Sequence, residues 1–393
     1  MRTYKLKELL SIKNGKDHKE LKNGAIPIFG SGGIMRYGDR AIFNDESILL
    51  PRKGTLSNIQ YVNKPFWTVD TIYYSIINKE LANPFYLFNF LKSLDLSKLN
   101  TGTGVPSMTF DSYYNLDIVL PGLDVQQKIA SVLSALDSKI ELNNRINAEL
   151  EAMAKTKYDY WFVQFDFPDK NGKPYKTSGG KMVWNEVLKR EIPEGWESGE
   201  LNKIGDIIGG STPSKAIKEN FCIGNGIPWI TPKDLSIHKG KKYITRGELN
   251  VTESGLKSAS LKIMPAGTVL LSSRAPIGYL AISRSNVTTN QGFKSFVPNS
   301  RFSTEFIFYT IKNLIPEIEA NSSGSTFQEV STSTLGSIKT VLPTNDILNI
   351  FDKKIKPIFK QQNILEEQNQ KLTELRDWLL PMLMNGQVRV SER

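Results

Sequence analysis

The chain has 393 residues, with 50 Lys and Arg against 40 Asp and Glu for a formal charge of +10, and 39% hydrophobic residues. That length predicts two or three compact units, large enough to bury cores without disulfide or metal staples. Cys222 is the only cysteine and His18 and His238 are the only histidines, which excludes a disulfide framework, a Cys/His zinc site and a His-based metal centre.

In chain order, Met1–Lys7 lacks the apolar core of a secretory signal, and the most continuous apolar stretch, Trp378–Met384, falls far short of the roughly 20 residues that span a bilayer. A soluble, cytoplasmic protein is expected. The first block mixes strands at Ser47–Leu50 and Ile72–Ile76 with a helix at Pro84–Leu94. A small-residue loop, Thr101–Thr109, then leads into an apolar strand, Leu116-Asp-Ile-Val-Leu-Pro121. From Asp124 the period changes. Ile129, Val132, Leu133, Leu136, Ile140, Ile146, Leu150 and Met153 mark one face of a helix to about Phe162, with Asp124 as N-cap and Gln127 completing a capping box. Residues 164–198 read as a polar, turn-rich linker with a short ordered piece at Met182–Leu188.

The second block carries strands at Thr268–Leu271 and Tyr279–Ser283 and a helix at Thr304–Asn313. Another small-residue stretch, Ser322–Ser331, precedes Ile338-Lys-Thr-Val-Leu-Pro343. A second helical stripe follows at Ile347, Phe351, Ile355, Ile358, Leu365, Leu372, Leu375, Leu379 and Met382. Pro357 should kink or restart that helix, and Pro381 should bend or end its last turns.

The order of features therefore repeats. An offset of 222 aligns 101–162 with 323–384 without a gap, although only seven of those 62 positions are identical. Upstream, Ile26-Pro27-Ile28 resembles Ile227-Pro228-Trp229, and Ser47–Arg52 resembles Thr268–Arg274. Charge follows the duplication: the blocks 1–121 and 195–343 carry +4 and +5, and the stretches after them 0 and +1. Two basic modules on neutral connectors suit two contacts to a polyanion. A helix of about 40 residues is about 60 Å long, and its apolar stripe must be covered. The expected cover is the other copy, as an antiparallel two-helix coil; the alternative is each helix docked on its own block.

Catalytic signatures are missing. The sequence has no phosphate-binding Gly-x-x-x-x-Gly-Lys-[Ser/Thr] loop, no Gly-x-Gly-x-x-Gly turn and no Gly-x-Ser-x-Gly elbow. Asn83-Pro84-Phe85 lacks one proline of the Asp/Asn-Pro-Pro-aromatic pocket of an amino-methylating enzyme. His18 reads as a surface residue and Cys222 as a packed one, so the chain reads as a recognition part with no reaction of its own.

The arrangement resembles the specificity subunit of type I restriction–modification enzymes. The resemblance rests on the order of features, on Gly180–Glu197 as the run before a second recognition domain, on Gly210-Ser-Thr-Pro-Ser214 with Ile227–Ile230 as that domain's opening, and on Leu120–Ile129 as the start of the central helix. The second helix departs from it, since Asp346-Ile-Leu-Asn349 lacks the usual glutamine. The resemblance implies an α+β fold with two pseudo-twofold-related target recognition domains, at 1–121 and 199–343. Between them stands an antiparallel coiled coil of two long helices, at 122–163 and 344–393, the linker being 164–198. It further implies a non-catalytic subunit that binds an asymmetric, bipartite site in double-stranded DNA. The partners would be two adenine-N6 methyltransferase subunits bringing S-adenosylmethionine, and restriction subunits using ATP; no cofactor, metal or membrane contact belongs to this chain.

Candidate DNA contacts are basic and polar residues beside the small-residue loops: Ser31, Arg36, Arg52, Lys53, Thr55 and Thr103 in the first domain, and Lys215, Thr231, Lys233, Ser273, Arg274, Gln291 and Gln328 in the second. The candidate coil and partner interface is Ile129, Leu133, Leu136, Ile140, Leu150, Met153, Phe351, Ile355, Ile358, Leu365, Leu372 and Leu375. Competing readings are a stand-alone DNA-binding regulator, a scaffold that uses the coil for assembly, and an enzyme.

Overall fold

A computed structural model describes residues 1–96, 106–323, 328–388 and 390. The chain forms two compact units, Met1–Leu142 with Asn369–Arg393, and Asn143–Gln368.

In the first unit, β1 (Arg2–Lys5) leads through α1 (Leu6–Leu9) into β2 (Leu10–Asn14), β3 (Ile26–Gly30), β4 (Gly33–Gly38), β5 (Ser47–Pro51), β6 (Gln60–Val62), β7 (Trp67–Thr68) and β8 (Ile72–Ile77). Then come α2 (Pro84–Ser93), α3 (Phe110–Tyr114), β9 (Asp117–Leu120) and α4 (Leu123–Tyr158), whose first half lies here. The sheets run β2-β8-β5-β6 and β4-β3-β7, and β1 pairs antiparallel with β9. β5 is buried at every position, which explains its apolar run Ile48–Pro51, while Ser47 donates its hydroxyl to Ser75 O at 2.7 Å. Asn83 starts α2 by accepting from Tyr86 N at 3.0 Å, with Pro84 behind it needing no partner for a missing N–H. The core gathers Leu6, Leu50, Tyr86, Leu87 and Tyr113 with Ile129 and Leu133 of α4. It also takes in Leu383 and Met384, which close α9 (Asn345–Met384).

The second unit opens with the end of α4 and a π-helical turn, Asp159–Val163. A hairpin follows, β10 (Met182–Asn185) with β11 (Arg190–Pro193), and then β12 (Glu197–Glu200), β13 (Gly205–Gly209), β14 (Phe221–Cys222) and β15 (Ile227–Ile230). Next are α5 (Pro232–Ile237), β16 (Tyr243–Ile244), β17 (Leu249–Val251), α6 (Glu253–Ser258), β18 (Val269–Ser273) and β19 (Ile277–Ser283). β20 (Thr288–Thr289), β21 (Lys294–Pro298), α7 (Thr304–Ala320), α8 (Thr332–Ser337) and β22 (Lys339–Leu342) complete the block before α9. Its sheets run β13-β21-β18-β19-β16 and β14-β17-β15-β20.

The two blocks share one topology. The order β2-β8-β5-β6 recurs as β13-β21-β18-β19, the parallel pair β3–β7 as β15–β20, and the closing pair β1–β9 as β12–β22. Even the isolated bridge Lys53↔Ser107 returns as Arg274↔Glu329. Two tryptophans show the duplication in detail. Trp67 on β7 donates its indole N–H to Lys16 O, and Trp229, on the other strand of the corresponding pair, donates to Ser211 O, both at 3.0 Å. The second block is larger because β16 is added at the edge of one sheet and β14 at the edge of the other, where β17 stands beside β15 as β4 does beside β3.

Within each unit the long helices run antiparallel and in contact. In the first, Arg376 meets Asp137 at 2.9 Å and Asn369 Nδ2 donates to Ile140 O at 3.4 Å. In the second, Asn143 Nδ2 donates to Gln368 Oε1 and Gln362 Nε2 to Asn147 O, both at 3.4 Å. At the offset of 222, Ile140 corresponds to Gln362 and Asn147 to Asn369, so the same two repeat positions face each other in both units, as a self-complementary contact requires.

Several expectations change. Pro357 neither ends nor restarts α9, which is continuous through Pro357 and as far as Met384. Pro357 and Lys353 are exposed, so the carbonyl that loses its helical partner meets water. The N-terminus of α4 uses Gly122 O, which accepts from Val125 and Gln126 N at 3.0 and 3.1 Å, and leaves Asp124 in the first turn. The capping glutamine is not Gln127: buried Gln126 accepts from Asn83 N at 2.9 Å and donates to Leu81 O and Pro121 O. The stretch 164–198 is folded, not a linker, with Phe165, Phe167, Ile192 and Trp196 buried in the second unit's core. Phe167 stacks on both Tyr175 and Trp196 there.

Candidate nucleic-acid interface

In the first unit, loops remote in sequence meet where β3 and β5 end. Arg52 and Lys53 both donate their backbone N–H to Thr71 O, at 2.9 and 3.2 Å. Met108 N donates back to Arg52 O, and Gly54 N to Pro106 O, each at 2.9 Å. Ser31 joins through its N–H to Thr71 Oγ1 at 3.3 Å, and Asn58 Nδ2 donates to Ser31 O at 2.7 Å. This cluster brings together Ser31, Arg52, Lys53 and Thr55, with Lys53 and Thr55 exposed. The Arg52 guanidinium lies 5.9 Å from the centre of the Tyr73 ring. Burial raises the Tyr73 hydroxyl pKa, with Arg52 pulling the other way. Thr103 lies outside the described residues.

Arg36 is placed differently. Its Nε donates to His18 Nδ1 at 3.1 Å and its terminal nitrogen to Leu21 O at 3.1 Å and to His18 O. Those bonds use the guanidinium to tie down the 18–21 turn, so Arg36 has a structural role within the chain.

The second unit repeats the cluster with other side chains. Ser211 N donates to Thr289 O and Asn290 N to Ile230 O, both at 3.0 Å. Ser273 N donates to Gly292 O at 2.7 Å and Val330 N to Ser273 O at 3.1 Å. Gly210 and Thr212, Thr231, Ser273 and Arg274, Gln291 and Gln328 thus belong to one loop cluster. Gln291 and Gln328 are exposed, and Gln291 Oε1 accepts from the Thr212 hydroxyl. Arg274 keeps 34% of its side chain open and reaches Glu329 at only 3.5 Å.

Three second-unit candidates, Ser273, Thr231 and Lys233, have side chains hidden or engaged within the chain, while Lys215 is exposed. Ser273 is fully buried, so the backbone of this position, not its hydroxyl, serves the cluster. Thr231 caps α5, its hydroxyl donating to Asp234 Oδ2 at 2.6 Å. Lys233 pairs with Glu248 at 2.8 Å, and Lys215 stands 6.0 Å from the Trp229 ring centre.

Two features escaped sequence reasoning. Glu329, which holds both Arg274 and Lys294 at 3.5 Å, sits inside the loop cluster where basic and neutral polar residues were sought. Gly210 is required by close approach: a Cβ there would lie 2.0 Å from Asn290 O and 2.4 Å from Thr289 O. Gly15 is the matching position, with a Cβ site 2.0 Å from Val69 O. The shared glycine after β2 and β13 is a signal an alignment of the two halves would have found.

Of the coil candidates, Ile129, Leu133, Phe351, Ile355 and Leu365 are buried, and Leu136, Ile140, Leu150, Ile358 and Leu372 are half-buried. Met153 and Leu375 are exposed, at 58% and 42%, because Ala154 turns inward in place of Met153 and the seam nearby is polar. Among the described residues no three His, Cys, Asp or Glu stand together as a metal site, and no helix is long and apolar enough to cross a membrane.

By class, this is a duplicated α+β protein presenting two unlike loop clusters, one on each copy. The family model for the type I restriction modification DNA specificity domain matches residues 1–152 and 193–375, and the chain belongs to that family. It is 30% identical over 367 residues to the HindI specificity subunit of Haemophilus influenzae, covering 79% of each chain. It is 41% identical over 200 residues to the MjaIX specificity subunit of Methanocaldococcus jannaschii, a match that takes in 48% of this chain and 46% of that one. The fold is similar to the crystal structure of an S subunit from M. genitalium, with a TM-score of 0.68 at 16% identity over 100% of this chain and 96% of the other.

Proposed function

We propose that the chain is the non-catalytic DNA-recognition subunit of a type I restriction–modification complex. The observation that carries this reading is one topology built twice with different residues at the loop clusters: Arg52, Lys53 and Thr55 in one copy, Arg274, Gln291 and Gln328 in the other. Each cluster would read one half of a split site. Because the readers differ, the half-sites differ, and the target is asymmetric and interrupted. Arginine and glutamine suit base edges, while Lys53 and Lys215 suit phosphates.

The paired helices α4 and α9 would space the readers and carry the partners. Those partners are two adenine-N6 methyltransferase subunits, which bring S-adenosylmethionine, and restriction subunits that use ATP. The complex acts in the cytoplasm on double-stranded DNA. The test is to express the chain with its modification subunits and map N6-methyladenine across the host genome. The expected result is one split, asymmetric motif methylated on both strands. A continuous or palindromic motif, or methylation indifferent to this chain, refutes the reading.

A further inference from the structure

The second recognition block is attached to the long helices by buried charge. Lys242, 7% exposed, immediately precedes β16, the edge strand the first block lacks. Its ammonium meets Glu151 of α4 at 2.5 Å, Gln362 Oε1 of α9 at 2.7 Å and the Tyr309 hydroxyl of α7 at 3.3 Å. The Phe359 ring centre lies 3.8 Å away. Glu151 also accepts from Lys312 at 2.7 Å and from Tyr309 at 3.0 Å. A second anchor stands beside it. Glu366 of α9 accepts from the backbone N–H of Lys242 and Tyr243 at 2.8 and 3.1 Å and from Arg284 at 3.2 Å, and Arg284 Nε donates to Asn363 at 2.6 Å.

Such an arrangement is a poor way to gain stability alone, since burying a pair of charges costs about as much as it returns. It is a good way to fix an angle. The ammonium has one acceptor on α4 and one on α9, with Tyr309 of the block's own α7 beside them, so the block's placement must satisfy both long helices at once. β16 is bonded to β19, and β19 to β18, whose end delivers Ser273 and Arg274 to the loop cluster. The mount and the reading loop are therefore parts of one sheet, about 10 Å apart across the strands and at least about 10 Å along them.

Resting on the recognition reading above, we infer that Lys242 is a positioning residue: clamped between Glu151 and Gln362, it holds the second block in one orientation on the helices and thereby sets the spacer length the complex accepts. A spacer longer by one base pair moves the second half-site about 3.4 Å along and about 35° around the DNA axis, so a stiff mount rejects it.

The test uses the complete complex of this chain with its modification subunits. Methylation rates are measured on duplexes carrying the mapped half-sites at the native spacer and at one base pair more or fewer. Lys242→Met, which keeps length and volume, is expected to leave both half-site sequences unchanged and to reduce spacer discrimination about tenfold, the size of effect that losing roughly one charge-assisted bond would give. A merely structural role would lower the rate at every spacer alike, and that result, or unchanged discrimination in an assembled complex, overturns the inference. If Lys242→Met does not assemble, Arg284→Lys is read in the same way, because it keeps the charge and loses the fork that grips Glu366 and Asn363. Failure of the unaltered complex to methylate any split site would instead refute the recognition reading itself.

Discussion

Phe351 offers the sharpest test of the helix pair. It is fully buried on α9 and packs edge-on against Phe162, with ring centres 4.8 Å apart at 80°. It also meets Trp161 at 5.7 Å and Tyr158 at 6.2 Å, at the end of α4. Phe351→Ala removes the ring from a packed site and is expected to cost about 4 kcal/mol. Phe351→Leu refills most of the volume and forfeits chiefly the ring–ring geometry, so about 1–2 kcal/mol is expected. On a unit of this size each kcal/mol moves Tm by roughly 2–4 °C, giving a fall of about 8–16 °C for the alanine variant. Urea unfolding followed by tryptophan fluorescence reads the change directly, since Trp161 and Trp196 both lie in this core. A cost below about 1 kcal/mol for Phe351→Ala would refute the claim that α9 is locked to the end of α4 by this aromatic cluster.

Other consequences follow from the same contacts. Burial alone would raise the Glu151 carboxyl, but Lys242 and Lys312 outweigh it and hold its pKa at about 2. The stabilisation tied to its ionised form is thus present above the usual carboxylate pKa and is lost as pH falls toward 2. Glu151→Gln should flatten the fall in Tm between about pH 4.5 and 2, and parallel curves for the two proteins would contradict this. Arg274→Ala should weaken binding of the assembled complex to its cognate duplex by about 1–3 kcal/mol at fixed salt, and an unchanged affinity removes Arg274 from the base-reading set. Gly210→Ala should cost about 1–3 kcal/mol in chemical denaturation, because its methyl group must displace the Asn290 carbonyl.

The apolar runs of β5 and β18 and the helices after each Leu-Pro were legible because their patterns are local: a strand buried on both faces carries consecutive apolar residues, and a helix shows its covered face every three or four residues. The middle of the coil was not. Asn143 and Gln362 are buried in the seam, where a search for apolar periodicity passes over them. Such polar positions fix helix register at some cost in stability. Arg36, Thr231 and Ser273 were chosen by residue type, and residue type does not show what engages or covers them. The carbonyls Arg36 clamps, the cap Thr231 forms and the burial of Ser273 all depend on how the chain folds around them. The stretch 164–198 misled for the opposite reason: its polar turns dominate the composition, while Phe165, Phe167 and Trp196 are too widely spaced to show a period.

Taken alone, the order of residues was enough to reveal a duplicated α+β chain, two basic blocks and two long amphipathic helices, since repeats, net charge and helical period are properties of the linear string. Which cations stay free to meet DNA, which are spent on carbonyls and carboxylates, and how Lys242 comes to stand among α4, α7 and α9 were decided only in three dimensions. Those outcomes depend on partners brought together from distant parts of the chain, as Lys242 and Gln362 are from 120 positions apart.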